Sequence, residues 1–519
     1  MSPTVTMGLL FYPRGGSAQV VKYLRAALAG AGWSSDLVCG SLGAPGEPTN
    51  AASFFEGSDV HAFDYGPALA AFARGEDPIA HDPPMHPSYE DRADVPDRVF
   101  AAVAPGLGDH LTDAWERFLR GALHGTPGVL HIHHLSPLQE AFARIAPGAP
   151  LVTHLHGTDM KMIDRIDRLV GVAGALDTDL AGMADRALAG ELPAIDDHPP
   201  EVRPLVRETR WEQWRHGAHW AGRMRGVART SDRLIVISPH DRDEAERLLG
   251  VESDRVTCIP NGVDTVLFDR CVIPDEERAA RWRRWLVTEP RGWDETGVPG
   301  SVRYDERDIA ALVDPAATVL LFVGRFLDFK RVPLLVRAYA AARDRFDRPA
   351  PLVIWGGFPG EWEGEHPHTV ASALGLRDVF FVGWRGHADL VLGLQCCDVM
   401  VAPSKDEPFG QVYLEAMACG VPVIATRSGG PLSFVNTESG APNGWMVGVD
   451  DEDALAAAMV EAVNAPGARH VRSENAYEQI RSQYSWGALA GRFTEVYEQA
   501  SADAATRRAP SRVEGRPAP

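Results

Sequence analysis

The sequence lacks any long hydrophobic run: no stretch approaches the roughly 18 consecutive apolar residues of a membrane-spanning helix. Its N-terminus lacks the basic segment followed by an apolar one that marks a secretory signal peptide. The 6 cysteines are scattered among 519 residues, with neither zinc-type spacing nor the density of a disulfide framework. These absences predict a cytoplasmic protein with reduced thiols and no stable membrane insertion.

An excess of positive charge is also absent. The 51 lysines and arginines are outnumbered by 71 aspartates and glutamates, which gives a formal net charge of −20. Nucleic acids and anionic membranes both require a positive field, so neither is expected as a main partner. A content of 45% hydrophobic and 24% charged residues is ordinary for a globular protein, and 519 residues predict two or more domains.

Residues 404–420, SKDEPFGQVYLEAMACG, lie between two short apolar runs that are typical of buried strands. A proline near the start and a glycine at the end predict a helix over residues 409–419. Glu407 then lies on the loop before this helix, and Glu415 lies inside it. At about 1.5 Å rise per residue the carboxylates are roughly 12 Å apart, which suits the two ends of one elongated ligand.

Between the two glutamates, the N–H groups of Phe409, Gly410 and Gln411 are predicted to form the N-terminus of this helix. Such a terminus is suited to binding phosphate. A sugar, a diphosphate and a ribose along this helix would each meet groups of matching polarity. Two solvated glutamates on a surface helix are the alternative.

Two cations follow a predicted buried strand over residues 318–323. Arg325 and Lys330 lie five positions apart in GRFLDFKR, so both side chains can face one dianion across a tight loop. Fixed cations stabilise the charge that develops on a departing nucleoside diphosphate. Two solvated surface charges are the alternative here.

Glycine-containing turns after other predicted strands add candidate contacts. Gly15 and Gly16 follow the first strand and allow a ligand to approach the backbone. Gly383 and Trp384 follow the strand at residues 379–382. Stacking of Trp384 or Arg385 on a ligand and ordinary packing of these side chains both remain open.

His156, in the segment HLHGTD, stands where a parallel strand is predicted to leave its sheet. Open α/β folds bind ligands at that position, so His156 is a candidate functional residue. The neighbouring histidines are predicted to be packing or loop residues: His131, His133, His134 and His154.

Together these segments resemble the retaining GT-B glycosyltransferases of family 4, whose members include the mycothiol and bacillithiol glycosyltransferases. The resemblance is carried by DEPFG with EAMACGVPVIAT, by the Gly-Arg pair with its lysine, by PRGG and by HGTD. It implies an α/β fold of two Rossmann-like, doubly wound domains that face each other across a cleft. The expected boundaries are an acceptor domain with insertions over residues 1–265, a nucleotide-sugar domain over 266–500, and a disordered tail over 501–519.

The resemblance also implies a retaining transfer of a hexose-type sugar from a nucleoside diphosphate, such as a UDP-sugar, to a small polar acceptor. The acceptor would be a cyclitol, a sugar or a natural-product aglycone. Glu407 would hold the donor sugar and Glu415 the ribose, while Arg325 and Lys330 would bind the diphosphate. His156 would lie beside the reacting sugar carbon.

Among the glycines, Gly15 and Gly16 would lie near the donor phosphate and the acceptor, and Gly383 with Trp384 beside the nucleotide base. No cluster of histidine, cysteine and carboxylate residues has metal-ligand spacing. We therefore expect no metal, and no cofactor other than the nucleotide-sugar co-substrate.

Two other functions stay open. A glycoside hydrolase or phosphorylase could use Glu407 and Glu415 as acid and base, although such pairs lie only about 5 to 9.5 Å apart. A nucleotide-sugar-binding protein without catalysis is the second. The sequence does not fix the acceptor, the sugar, the nucleotide, the oligomeric state, or the role of two insertions at residues 160–230 and 270–315.

Overall fold

The computed structural model describes residues 3–57, 59–92, 95–123, 125, 127–192, 202–438 and 440–508. These residues form two compact units. The first contains the described residues up to Pro260 and those from Ala490 onward, and the second is Asn261–Leu489. The expected boundary near residue 265 therefore lies at residue 260, and the assignment of residues 490–500 to the second domain was wrong.

The first unit is built on a parallel sheet. Its strands are β1 (Thr4–Leu9), β2 (Ser34–Ser41), β3 (Val60–Asp64), β4 (Val129–His133), β5 (Leu151–His154), β6 (Arg233–Val236) and β7 (Val256–Cys258). They are ordered β3-β2-β1-β4-β5-β6-β7. Every residue of β4 and β5 is buried, as expected for central strands covered by helices on both faces.

The helices of this unit connect successive strands. They are α1 (Gly15–Gly30), α2 (Ala51–Phe55), α3 (Gly66–Ala73), α4 (Pro105–Ala122), α5 (Pro137–Ile145), α6 (Thr158–Ala175), α7 (Leu180–Ala189), α8 (Arg203–Glu208), α9 (Gly217–Thr230) and α10 (Pro239–Leu249). Helix α10 follows its sequence signals: the Ser238 hydroxyl accepts the Asp241 N–H at 3.1 Å, and Gly250 ends the helix in a left-handed conformation.

The second unit contains a six-stranded parallel sheet. Its strands are β8 (Leu320–Gly324), β9 (Leu352–Gly356), β10 (Val379–Gly383), β11 (Val399–Ala402), β12 (Val423–Thr426) and β13 (Gly444–Val447), in the order β10-β9-β8-β11-β12-β13. Its helices are α11 (Asp275–Arg283), α12 (Val332–Ala342), α13 (Pro367–Ala373), α14 (His387–Gln395), α15 (Gln411–Ala418), α16 (Glu452–Asn464) and α17 (Pro466–Gln479). Both sheets are parallel and doubly wound, as the sequence predicts.

The last helix, α18 (Trp486–Arg508), corrects the expected tail. Phe493, Tyr497, Ala500 and Ala504 are buried at spacings of three and four residues, which places them on one helical face. The prediction of disorder was therefore wrong for residues 501–508, because alanine-rich sequence favours a helix when one face is packed. Residues 509–519 lie outside the described residues.

None of the helices in the described part of the chain combines the length and hydrophobicity that a bilayer crossing requires.

Candidate active site

The order of the second sheet reverses between β8 and β11, because β8 is followed in sequence by β9 on one side and joins β11 on the other. In open α/β sheets, ligands bind outside the carboxyl ends of the strands at such a point. The loop after β8 carries Arg325 and Lys330, and the loop after β11 carries Glu407. The sheet thus brings the loop with the two predicted cations and the loop with the predicted carboxylate to one edge.

Lys330 and Glu407 are in direct contact at this edge. Lys330 Nζ lies 2.5 Å from Glu407 Oε2, and the two side chains are only 14% and 9% exposed. The backbone joins the same loops, since the Lys405 N–H donates to the Phe329 carbonyl oxygen at 2.6 Å. The predicted cation and the predicted sugar-binding carboxylate therefore form one charge pair.

A glycine turn after β12 fixes the position of Glu407. The Gly430 N–H donates to the Glu407 carbonyl oxygen at 2.7 Å. A side chain at Gly429, where φ is +64°, would collide with that same carbonyl, and one at Gly430 would collide with the Phe409 backbone. Only glycine allows this close packing of the two loops.

Arg325 follows β8 directly and is exposed to solvent. No carboxylate within the described residues forms an ion pair with it. Its guanidinium, on the same loop as Lys330, is therefore available to an anion.

Helix α15 begins two residues later than predicted. Gly410 adopts a left-handed conformation with φ of +92°, and the Tyr413 ring occupies the space that a side chain there would need. The prediction that Phe409 and Gly410 belong to the first helical turn was therefore wrong. Gln411 is the first helical residue, and its side-chain amide donates to the Gly262 carbonyl oxygen at 2.8 Å. The backbone N–H of a first helical residue has no acceptor within its own helix and can bind a ligand.

Glu415 lies within α15 and is only 6% exposed. Burial raises the pKa of its carboxyl from 4.5 to about 7. No hydrogen-bond donor to this carboxylate is found in the described part of the chain. A buried carboxylate without donors is unfavourable when ionised, and ligand hydroxyl groups would remove that penalty.

The loop after β10 resolves the choice between Trp384 and Arg385. Arg385 is buried and donates to the carbonyl oxygens of Trp285, at 2.9 Å, and of Glu289. It is therefore a packing residue. Trp384 is 51% exposed and meets the half-exposed Phe358 edge to face, with ring centroids 6.0 Å apart.

The predicted glycines near the phosphate, Gly15 and Gly16, belong to the first unit. Gly15 is the first residue of α1, with φ of +74°. A Cβ atom placed on Gly15 or on Gly16 would meet no other atom within 4 Å. The preceding Arg14 was not singled out from the sequence. Its guanidinium lies 2.6 Å from the buried carboxylate of Asp97, which also binds Arg92 at 2.5 Å.

His156 lies at the carboxyl edge of the first sheet. Its Nε2 is 2.9 Å from Nδ1 of His133. Asp159 accepts hydrogen bonds from the Leu135 N–H at 2.8 Å and from His134 Nδ1 at 3.1 Å. The prediction that His133 and His134 are only packing or loop residues was incomplete, because they contact His156 and Asp159 across neighbouring strands.

Two family models cover most of this chain. Residues 14–267 match the model described as Glycosyltransferase Family 4, and residues 306–479 match the one described as Glycosyl transferases group 1. A D-inositol 3-phosphate glycosyltransferase of Corynebacterium jeikeium is 30% identical over 311 residues, which cover 58% of this chain and 70% of the relative. The chain belongs to glycosyltransferase family 4.

Other relatives are matched over a smaller share of their length. D-inositol 3-phosphate glycosyltransferase 2 of Catenulispora acidiphila is 32% identical over 283 residues, or 53% of this chain and 58% of the relative. The chain therefore spans less than two thirds of that family-4 protein.

Solved structures agree on the fold. The catalytic domain of starch synthase IV from Arabidopsis thaliana, bound to ADP and acarbose, has a TM-score of 0.58 at 14% identity, covering 96% of this chain and 99% of that one. Anabaena HepE in complex with UDP and glucose has a TM-score of 0.54 at 16% identity, covering 96% and 100%. The predicted GT-B fold class of this family-4 chain is confirmed.

Three histidines of this family-4 chain are candidates for metal binding. Ligand atoms of His131, His133 and His154 lie within 4.8 Å of one another. However, their rings are nearly parallel, with interplanar angles of 17° to 35°, so their lone pairs do not converge on one point at the roughly 2.0 Å that zinc requires. We interpret them as a stacked, neutral cluster, and metal independence stays a prediction.

The histidine cluster should make the protein sensitive to acid. Burial lowers the pKa of His131 from 6.5 to about 3, and the pKa of His133, His154 and His156 well below 6.5. Below pH 6.5 the unfolded chain takes up protons that the folded chain does not, so each histidine lowers the unfolding free energy by about 1.4 kcal/mol per pH unit.

Urea denaturation between pH 7.5 and 5 measures this effect. His131→Gln should reduce the slope of stability against pH, whereas His470→Gln, at a side chain that is 74% exposed, should leave it unchanged. Equal slopes for His131→Gln and the wild type would contradict a neutral buried cluster.

Burial of Glu415 should change the unfolding free energy with pH in the opposite direction. Its raised pKa means that the folded chain binds a proton between pH 4.5 and 7 that the unfolded chain releases. Relative to the wild type, Glu415→Gln should therefore gain up to about 3 kcal/mol of unfolding free energy as the pH rises from 4.5 to 8. Glu498→Gln, at an exposed position of α18, is the matched control and should track the wild type. A constant difference between Glu415→Gln and wild type across this range would refute the assigned burial.

Proposed function

We propose that this chain is a retaining glycosyltransferase that moves a hexose-type sugar from a nucleoside diphosphate donor to a small polar acceptor. The observation that carries the proposal is the contact between Lys330 Nζ and Glu407 Oε2, 2.5 Å apart, at the point where the order of the second sheet reverses. A sugar with a diphosphate needs a hydrogen-bond acceptor and a cation at adjacent positions. This pair supplies both, and the exposed Arg325 adds a second cation.

The remaining donor groups extend from this pair. The backbone N–H of Gln411 at the start of α15 would bind a phosphate oxygen. Glu415, about one helical turn further along α15, would accept hydrogen bonds from the ribose. The exposed ring of Trp384 would stack on the base. A UDP-sugar is one such donor, and Anabaena HepE has been solved with UDP and glucose.

These positions support the following reaction. The bond between the sugar's anomeric carbon and the diphosphate oxygen breaks, and the acceptor hydroxyl oxygen bonds to that carbon on the same face. The hydroxyl proton passes to the departing phosphate. Arg325 and Lys330 would stabilise the charge that the phosphate gains in the transition state, and Glu407 would orient the sugar without forming a covalent bond to it.

On the first unit, His156 and the backbone at Gly15 and Gly16 would bind the acceptor. Burial keeps the pKa of His156 well below 6.5, so its imidazole is neutral and can exchange hydrogen bonds with a hydroxyl. The relatives named for D-inositol 3-phosphate support a polar acceptor such as a cyclitol. We also propose that the protein works in the cytoplasm without a metal ion.

The proposal is tested by incubating the protein with UDP-, GDP- and ADP-sugars and a panel of cyclitols and sugars, and following nucleoside diphosphate release. Lys330→Ala should lower kcat about 100-fold, because it removes a cation from the transition state. Lys22→Ala, which makes the same charge change on α1 of the first unit, should retain wild-type activity.

Three results would reject the proposal. Sugar release from a glycoside that carries no nucleotide would indicate a hydrolase or phosphorylase. Binding of a nucleotide sugar without any nucleoside diphosphate release would indicate a binding protein. Equal activity of Lys330→Ala and Lys22→Ala would remove Lys330 from the reaction.

A further inference from the structure

The segment before the second sheet, residues 270–315, is an insertion whose role the sequence does not reveal. It contains α11 and a π-helical turn over Arg284–Thr288, and then runs to β8 without a further helix or strand among its described residues. Its three tryptophans, Trp282, Trp285 and Trp293, are almost completely buried. The insertion is therefore an integral part of the second unit.

The insertion covers the edge strand of the second sheet. Strand β10 is the outermost strand, and Tyr304 takes the place of a neighbouring strand. Its hydroxyl accepts the Phe381 N–H at 2.9 Å and donates to the Val379 carbonyl oxygen at 3.4 Å. At Gly292, any side chain would collide with the Phe381 carbonyl oxygen. An edge covered in this way cannot pair with another chain.

The insertion also reaches the loops after β8 and β9. Trp293 Nε1 donates to the Gly357 carbonyl oxygen at 3.0 Å, directly after β9. The same indole stacks on Phe326, with ring centroids 5.2 Å apart at an angle of 26°. Phe326 is the residue next to Arg325. One buried side chain thus connects the loop that carries the free cation to the loop that carries Phe358.

The loop after β10 is held by the π-helical turn. The Arg385 side chain is fully buried, and its Nη2 donates to the carbonyl oxygens of Trp285 and Glu289. Gly383, with φ of +76°, lies against the Arg291 backbone, where no side chain would fit. Both neighbours of the exposed Trp384 are therefore fixed by the insertion.

We propose that residues 284–304 position the site that binds the nucleotide of the donor, with Trp293 as a positioning residue. The inference rests on the proposed function. Parallel strands lie about 4.8 Å apart, so the loop after β10 is roughly 10 Å from the loop after β8, a span comparable to that from a diphosphate to its base. The insertion holds both loops in place, and with them the aromatic pair of Trp384 and Phe358 and the cation Arg325.

The alternative is that the insertion has a purely structural role as the cover of β10, and this alternative predicts different effects of substitutions. If the insertion only protected an edge strand, substitutions in it would lower the melting temperature without a selective effect on nucleotide affinity. A positioning role instead requires that the hydrogen bond to Gly357 change the affinity beyond any loss of stability.

Trp293→Phe separates the two roles when it is compared with Trp282→Phe. Both variants keep an aromatic ring and lose the same ring volume, but only Trp293→Phe removes an N–H that donates a hydrogen bond. We expect the Kd for the nucleoside diphosphate, measured by calorimetry with UDP, GDP and ADP, to rise at least about fivefold, as loss of one buried hydrogen bond would give. The KM for the donor should rise equally, with kcat little changed.

Trp282→Phe is the matched control. Trp282 is buried in the same insertion and packs on Trp285, with ring centroids 5.2 Å apart, but its indole N–H has no partner within the described residues. Its Kd should stay within twofold of the wild type even if its melting temperature falls. Tyr304→Phe, which removes the hydroxyl that hydrogen-bonds to β10, should also raise the Kd. It replaces Trp293→Phe as the test variant if Trp293→Phe does not fold.

The outcomes distinguish failure of the positioning role from failure of the proposed function. A Kd that is unchanged in Trp293→Phe and Tyr304→Phe, or raised equally in Trp282→Phe, overturns the positioning role and leaves the proposed function standing. A wild-type protein that binds none of the three nucleoside diphosphates rejects the proposed function, and the positioning role with it.

Discussion

The contact between Lys330 and Glu407 is the interaction on which the rest of the site depends. Both side chains are largely removed from water, so each loses hydration that the other only partly replaces. Such a pair contributes little to stability on its own. Several backbone contacts nevertheless hold its two loops together. The turn at Gly429 and Gly430 packs against the Glu407 backbone, and the hydrogen bond from Lys405 to Phe329 joins the two loops.

The proposed function assigns separate roles to the two members of this pair. The cation and the carboxylate compensate each other's charge, and in the proposed complex each would have a separate partner in the nucleotide sugar. Glu415, about one turn into α15, is a second group of this kind, because burial raises the pKa of its carboxyl to about 7 and no hydrogen-bond donor within the described residues contacts that carboxyl. Functional sites commonly hold groups whose requirements only a ligand meets, at a cost in stability.

Much of this could be predicted from the sequence, because parallel sheets place the ends of successive strands at one edge. The positions of Lys330, Glu407 and Glu415 follow from apolar runs and helix signals alone. The start of α15 could not be predicted, because the left-handed turn at Gly410 depends on the packing of Tyr413. Arg385 is buried only because an insertion about a hundred residues earlier supplies its acceptors. The contacts of Asp159 and His133 could not be predicted for a related reason, since they cross between strands and leave no local pattern.

The most direct test of the account is a structure of the protein with a non-transferable nucleotide-sugar analogue bound. We predict that Lys330 Nζ leaves Glu407 for a phosphate oxygen, within hydrogen-bond distance of about 2.9 Å, while Glu407 accepts hydrogen bonds from the sugar. A donor bound elsewhere, with the pair of Lys330 and Glu407 still in contact, would contradict it.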